Sequence, residues 1–136
     1  MAGPEPAGTS LDRLLAEARR GLARLTPEQA AAACRRGALI VDIRDSGDRR
    51  TMGAVPGALP IPRNVLEWRA APDSPHRHPA IAAARGELIL MCNEGYQSSL
   101  AAATLRRLGC DSATDLVGGF VEWAARGLPV EPDPEA

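Results

Sequence analysis

The chain has 136 residues, of which 45% are hydrophobic and 24% charged, a balance that fits one globular domain with a sizeable core. Its 16 Lys and Arg against 17 Asp and Glu leave a formal net charge of -1, so bulk charge points to neither nucleic acid nor a membrane surface. No apolar run approaches the ~20 residues of a membrane span. The segment from Met1 to Gly8 also lacks the basic start and apolar stretch of a signal peptide, so a cytoplasmic location is expected. The 3 cysteines are widely spaced, as suits free thiols in a reducing compartment.

Residues 1–9, rich in Pro, Gly and Ala, read as a disordered tail. Leu11, Leu14, Leu15, Ala18, Leu22 and Leu25 follow at helical spacing, with Ser10 as the expected N-cap. Thr26-Pro27-Glu28-Gln29 opens a second helix: Thr26 caps, Pro27 suits the first helical position and Gln29 completes a capping box. That helix should stop near Gly37. Residues 38–43 form a short apolar run without alternation, the mark of a strand buried on both faces. Residues 58–62 read as a weaker strand bounded by prolines. Short helices are expected over 65–70 and 79–84, separated by Pro72 and Pro75.

A second buried strand spans 87–91, and the clearest helix runs from Ser98 to Leu108, with Gly109 as its stop. Residues 113–117 give a third clear strand. Gly118-Gly119 then turns into a last helix over 120–126, and the acidic segment 131–136 reads as a flexible tail. Strands alternating with helices imply a parallel sheet covered on both faces, with sites beyond the carboxyl ends of the strands.

Cys92 stands at such a place. The strand 87–91 runs into Cys92-Asn93-Glu94-Gly95-Tyr96-Gln97-Ser98, and a helix runs out. A cysteine between a strand and a helix N-terminus faces several backbone N–H groups and the positive end of the helix dipole. That setting stabilises a thiolate or persulfide anion. Asp42 and Arg44 sit at the end of the first strand. Cys34 and Cys110 read as small apolar fillers. His76 and His78 lie on a surface loop, because two ligands without further donors do not make a zinc site, and no metal is expected. Arg49-Arg50 reads as a solvated loop, and Trp68 and Trp123 as core or pocket wall.

Four stretches, taken together and in this order, resemble the rhodanese family of sulfurtransferases. They are Val41-Asp42-Ile43-Arg44, Gly53-Ala54-Val55-Pro56-Gly57-Ala58, the Cys92 loop, and Asp115-Leu116-Val117-Gly118-Gly119-Phe120-Val121-Glu122-Trp123 with Gly127-Leu128-Pro129-Val130. The resemblance implies a three-layer α/β fold over residues 10–130, with a central, mostly parallel sheet of about five strands and helices on both faces. It implies persulfide transfer through catalytic Cys92, without a cofactor. A donor such as thiosulfate or a persulfide would give its sulfane sulfur to a thiol or cyanide acceptor. Asn93, Glu94, Gly95, Tyr96, Gln97, Ser98 and Arg44 would contact substrate, and Asp42 would support the site.

Many family members carry Arg where Gln97 stands, and often His where Ala54 stands. Without that Arg, and with the anion Glu94, the loop should bind thiosulfate less well, by about 1 kcal/mol for a partly exposed charge. On this reading Gln97→Arg should raise the specificity constant for thiosulfate roughly tenfold. Two further readings follow. A module of weakened activity could bind a partner protein, and a sulfur-relay protein is a candidate partner in either case. Phosphatase or arsenate reductase chemistry would need an Arg where Ser98 stands.

Overall fold

The computed structural model describes residues 8–135; of the expected tail over 1–9, residues 1–7 lie outside them. Four parallel strands form the sheet in the order β2-β1-β3-β4. They are β1 (Leu39–Asp42), β2 (Leu59–Pro60), β3 (Leu88–Met91) and β4 (Ala113–Asp115). The resemblance implies about five strands. The fifth place, beside β4, is taken by a one-residue parallel bridge between Leu25 and Leu116. Leu25 donates to Asp115 O and accepts from the Val117 N–H. Pro27 follows at the first position of a helix, so the pairing stops there.

The helices are α1 (Ser10–Arg20), α2 (Pro27–Arg35), α3 (Ser46–Met52), α4 (Leu66–Ala70), α5 (Pro79–Ala83), α6 (Gln97–Arg107) and α7 (Gly119–Ala125), with a 3-10 turn at Arg63–Val65. The Thr26–Gln29 capping box forms as the sequence indicates. At α1 the cap is Thr9 rather than Ser10: the Thr9 hydroxyl accepts from the Asp12 N–H. His78 caps α5, its Nδ1 accepting from the Ala80 N–H at 3.0 Å, which ties one histidine of the pair to a structural role. No helix among the described residues is long and apolar enough to cross a membrane.

Side chains alternate across the sheet even though the strand sequences do not alternate in polarity. Val41, Ile43, Leu88, Leu90 and Cys92 enter the core on the side covered by α4, α5 and α6, with Leu66, Ile81 and Leu105. Ile40, Ile89 and Met91 enter the opposite core with Phe120 and Trp123 of α7 and Ala30 and Ala33 of α2. Both faces are therefore dry, which explains why β1 and β3 are continuous apolar runs. Cys34 is half-buried, and burial raises its thiol pKa above the ordinary value. Cys110 is buried in the core.

Three expectations need correction. Trp68 is 59% exposed, because α4 turns only Leu66 and Ala70 inward. Arg49 is buried rather than solvated; it donates to Arg44 O at 3.1 Å. Of the expected flexible tail over 131–136, residues 131–135 are fastened rather than loose. Glu131 and Ala54 exchange backbone hydrogen bonds, and Arg49 pairs with Asp133 at 3.5 Å and Glu135 at 3.3 Å. A buried guanidinium needs anionic partners, and the tail supplies them.

Candidate active site

Cys92 follows β3 directly, and its chain turns back on itself before α6 begins at Gln97. The turn is possible because Gly95 takes φ 88°, a left-handed value that disfavours any side chain. It is also tight, since a Cβ on Gly95 would lie 2.7 Å from the Gly118 N atom. The Gly95 N–H donates to Cys92 Sγ at 3.1 Å, and the Ser98 N–H, in the first turn of α6, donates at 3.4 Å. Cys92 is only 9% exposed and lines a cavity.

That cavity has a volume of about 560 Å³ and opens between β1 and the loop. Asn93, Glu94, Tyr96 and Gln97 line it with Cys92, and Ile43, Arg44, Asp45 and Asp48 line the opposite wall. The Asn93 amide donates to Asp48 at 3.0 Å and ties α3 to the loop. Arg44 reaches the wall, where its Nε and Nη2 are engaged while its buried Nη1 has no hydrogen-bond partner among the described residues. The guanidinium pairs with Asp42 at 2.9 Å, donates to Gly53 O at 2.8 Å and lies 4.1 Å from the centre of the Phe120 ring. Asp42 therefore supports Arg44, and both are buried.

Below the loop lies a polar cluster built on Asp115, which is fully buried at the end of β4. It accepts from Ser98 Oγ at 2.8 Å, Ser99 Oγ at 2.7 Å and Arg24 Nε at 2.9 Å. A buried carboxylate with this many donors is satisfied, and it holds the first turn of α6 under Cys92. On the other side α7 seals the start of the loop: Phe120 and Val121 N–H groups donate to the Cys92 and Asn93 carbonyls, each at 2.9 Å. At the outer rim Arg63 donates Nε to Gln97 Oε1 at 3.3 Å while pairing with Glu67 at 3.0 Å.

A rhodanese-like domain model matches residues 26–126. This chain belongs to the rhodanese-like domain family. It is 36% identical over 101 residues to the thiosulfate sulfurtransferase GlpE of Stutzerimonas stutzeri, covering 74% of this chain and 83% of that one. It is 32% identical over 92 residues to a sulfurtransferase of Allochromatium vinosum, covering 68% and 77%. Among solved structures, a Rhodopseudomonas palustris protein of unknown function, described as a possible tyrosine phosphatase, superposes with a TM-score of 0.81 at 30% identity. The match covers 96% of this chain and all of that one.

The sequence reading places Cys92, Asn93, Glu94, Gly95, Tyr96, Gln97 and Ser98 together, and the fold holds them in the loop and the first turn of α6. It does not find Arg19, Arg24, Ser99 and Arg63, nor the anchoring part played by Asp115. Only Asp115 carries a signal, as the one charged residue in the stretch 113–117 read as a strand. Asp45 and Asp48 also escape it, although Asp45 caps α3 by accepting from the Asp48 N–H. Among the described residues no group of three His, Cys, Asp or Glu side chains is arranged to hold a metal ion.

Proposed function

We propose that this protein is a sulfurtransferase in which Cys92 carries a sulfane sulfur as a persulfide. The observation that carries the reading is the pair of N–H groups, from Gly95 and Ser98, that donate to Cys92 Sγ at the N-terminus of α6. Such donors favour an anionic sulfur and, after transfer, an anionic terminal sulfur. In the first step the Cys92 thiolate attacks the sulfane sulfur of the donor. The donor's S–S bond breaks, and its electron pair leaves with sulfite from thiosulfate, or with a thiolate from a persulfide. In the second step the acceptor, a thiol as thiolate or cyanide, attacks the terminal sulfur, and Cys92 leaves as thiolate. Cys34, Cys92 and Cys110 are all free thiols, which suits a reducing, cytoplasmic setting.

Within this proposal Glu94, Tyr96 and Gln97 meet the substrate at the rim, while Asn93, Gly95 and Ser98 shape the cradle. Arg44 acts on the cavity wall, with its charge largely matched by Asp42. Arg63, beside Gln97 and part-exposed, is the better placed cation for a donor. Phosphatase chemistry is less well served, since Ser98 stands where a phosphate-binding Arg would close the loop.

Intact-mass spectrometry tests the reading. After incubation with thiosulfate or a small persulfide the protein should gain one sulfur atom, and cyanide should remove it. Cys92→Ser should gain none. Equal gain by Cys92→Ser would refute the assignment. Hydrolysis of p-nitrophenyl phosphate without any sulfur uptake would favour the phosphatase reading, and neither activity would favour the partner-binding module.

A further inference from the structure

The segment that carries Arg19 and Arg24 precedes residue 26, outside the span of the family model. α1 buries no residue of its own, yet it lies along α6 and its last turn ends at the reactive loop. There Arg19 donates Nη2 to the Gly95 carbonyl at 2.8 Å and Nε to Ser99 Oγ at 3.0 Å. Its guanidinium carbon stands 5.6 Å from the centre of the Tyr96 ring. Arg24 donates Nη2 to the same Gly95 carbonyl at 3.1 Å and pairs with Asp115.

Two guanidinium groups thus converge on one main-chain oxygen, which also accepts from the Ser99 hydroxyl at 3.3 Å. Burial, with the repulsion of Arg24 added to it, lowers the Arg19 pKa from its ordinary value. The convergence persists because each has a further partner, Ser99 for Arg19 and Asp115 for Arg24. The consequence lies in the peptide that carries the oxygen. The chain has no cis peptide among the described residues, so the Tyr96 N–H points away from the Gly95 carbonyl across one plane. With the carbonyl fixed by these donors, the plane of that peptide is fixed too, and with it the course of the turn whose Gly95 and Ser98 N–H groups donate to Cys92 Sγ. Gly95 itself offers no side chain to choose this orientation. A freely rotating peptide here would let the turn drift and pull those two donors off the sulfur.

We propose that Arg19 and Arg24 are positioning residues for Cys92: their joint grip on the Gly95 carbonyl fixes the Gly95–Tyr96 peptide and so holds the loop in the form whose Gly95 and Ser98 N–H groups donate to the sulfur. The proposal rests on Cys92 as the reactive nucleophile, not on the identity of the sulfur donor. The Rhodopseudomonas palustris structure covers 96% of this chain, which requires a counterpart of the segment before residue 26, so the added helix accompanies the domain in a second protein.

The test is the rate of Cys92 alkylation by iodoacetamide, a neutral probe, at neutral pH in the full chain, read by peptide mapping. Arg19→Met keeps the aliphatic stem and should slow labelling about tenfold, in keeping with the loss of charged hydrogen bonds. Arg19→Lys, which keeps a donor for the carbonyl, should recover most of the rate. Arg13→Met should change nothing, since Arg13 on the same helix donates to the Gly8 carbonyl instead. The Arg19→Met defect should persist at high salt, where a mere field effect is screened. Arg24→Lys should show a smaller defect of the same kind without stripping Asp115 of its cation. With a neutral persulfide donor, kcat should fall while KM holds.

A folded Arg19→Met protein that labels at the wild-type rate would overturn the proposal, as would a defect that vanishes in high salt. Slowed labelling in a protein that takes up no sulfur would leave the positioning role standing and remove the sulfurtransferase reading.

Discussion

Gln97 shows how one residue changes meaning once its neighbour is known. Read alone, it leaves the loop without a cation, and replacing it by Arg should help a dianionic donor roughly tenfold. In the fold, Arg63 already brings a guanidinium to the Gln97 amide. A second Arg there would face the first, and a like-charge pair near the surface returns a large part of a gain of this size. The expected improvement in kcat/KM for thiosulfate from Gln97→Arg is therefore only about threefold. Arg63→Met should lower the same constant by a similar factor and leave a neutral persulfide unaffected. Steady-state kinetics with the two donors check both. A full tenfold gain in Gln97→Arg would mean that Arg63 does not act at the mouth. Arg63 could not be found from the sequence because its partner lies 34 residues away, in a stretch broken by prolines.

Among the elements, those legible in the sequence are the ones whose own residues fix them. β1 and β3 are apolar on both sides because both faces are buried, and α2 announces itself by its capping box. α3 was not legible: Ser46–Met52 is mostly polar and buries only Arg49, so no apolar face marks it. The start of α7 is legible for a different reason. Gly119 takes φ 64°, and a Cβ there would sit 2.5 Å from both the Cys92 and Asn93 carbonyl oxygens. The same close approach lets the Phe120 and Val121 N–H groups donate to those carbonyls. Gly119→Ala should thus strain the backbone and push α7 off the loop, destabilising the fold by about 2–4 kcal/mol. Urea denaturation would measure the loss, and sulfur uptake should fall in the fraction that stays folded. A loss below about 0.5 kcal/mol would show that the helix and loop give way easily.

Over the whole molecule the charges nearly cancel, at -1, but they are not spread evenly. Asp45, Asp48 and Glu94 all line the Cys92 cavity, while Arg44, its one lining cation among the described residues, is paired with Asp42. Arg19 and Arg24 approach the loop from below, where they are spent on Gly95, Ser99 and Asp115. A dianion entering from solvent therefore meets net negative charge, and a neutral persulfide does not. Opposing fields of this kind act over a Debye length, which shrinks from roughly 20 Å at low salt to about 8 Å at physiological ionic strength. Adding an inert salt should then screen repulsion and lower KM for thiosulfate by several-fold, with KM for the neutral donor flat. The Asp45→Asn, Asp48→Asn double variant should reproduce the low KM without added salt, although Asp45 also caps α3, so its folding must be checked by circular dichroism. KM for thiosulfate that rises with salt would mean that attraction to Arg63 and the backbone donors outweighs the three carboxylates, and that the acidic rim does not select against anionic donors.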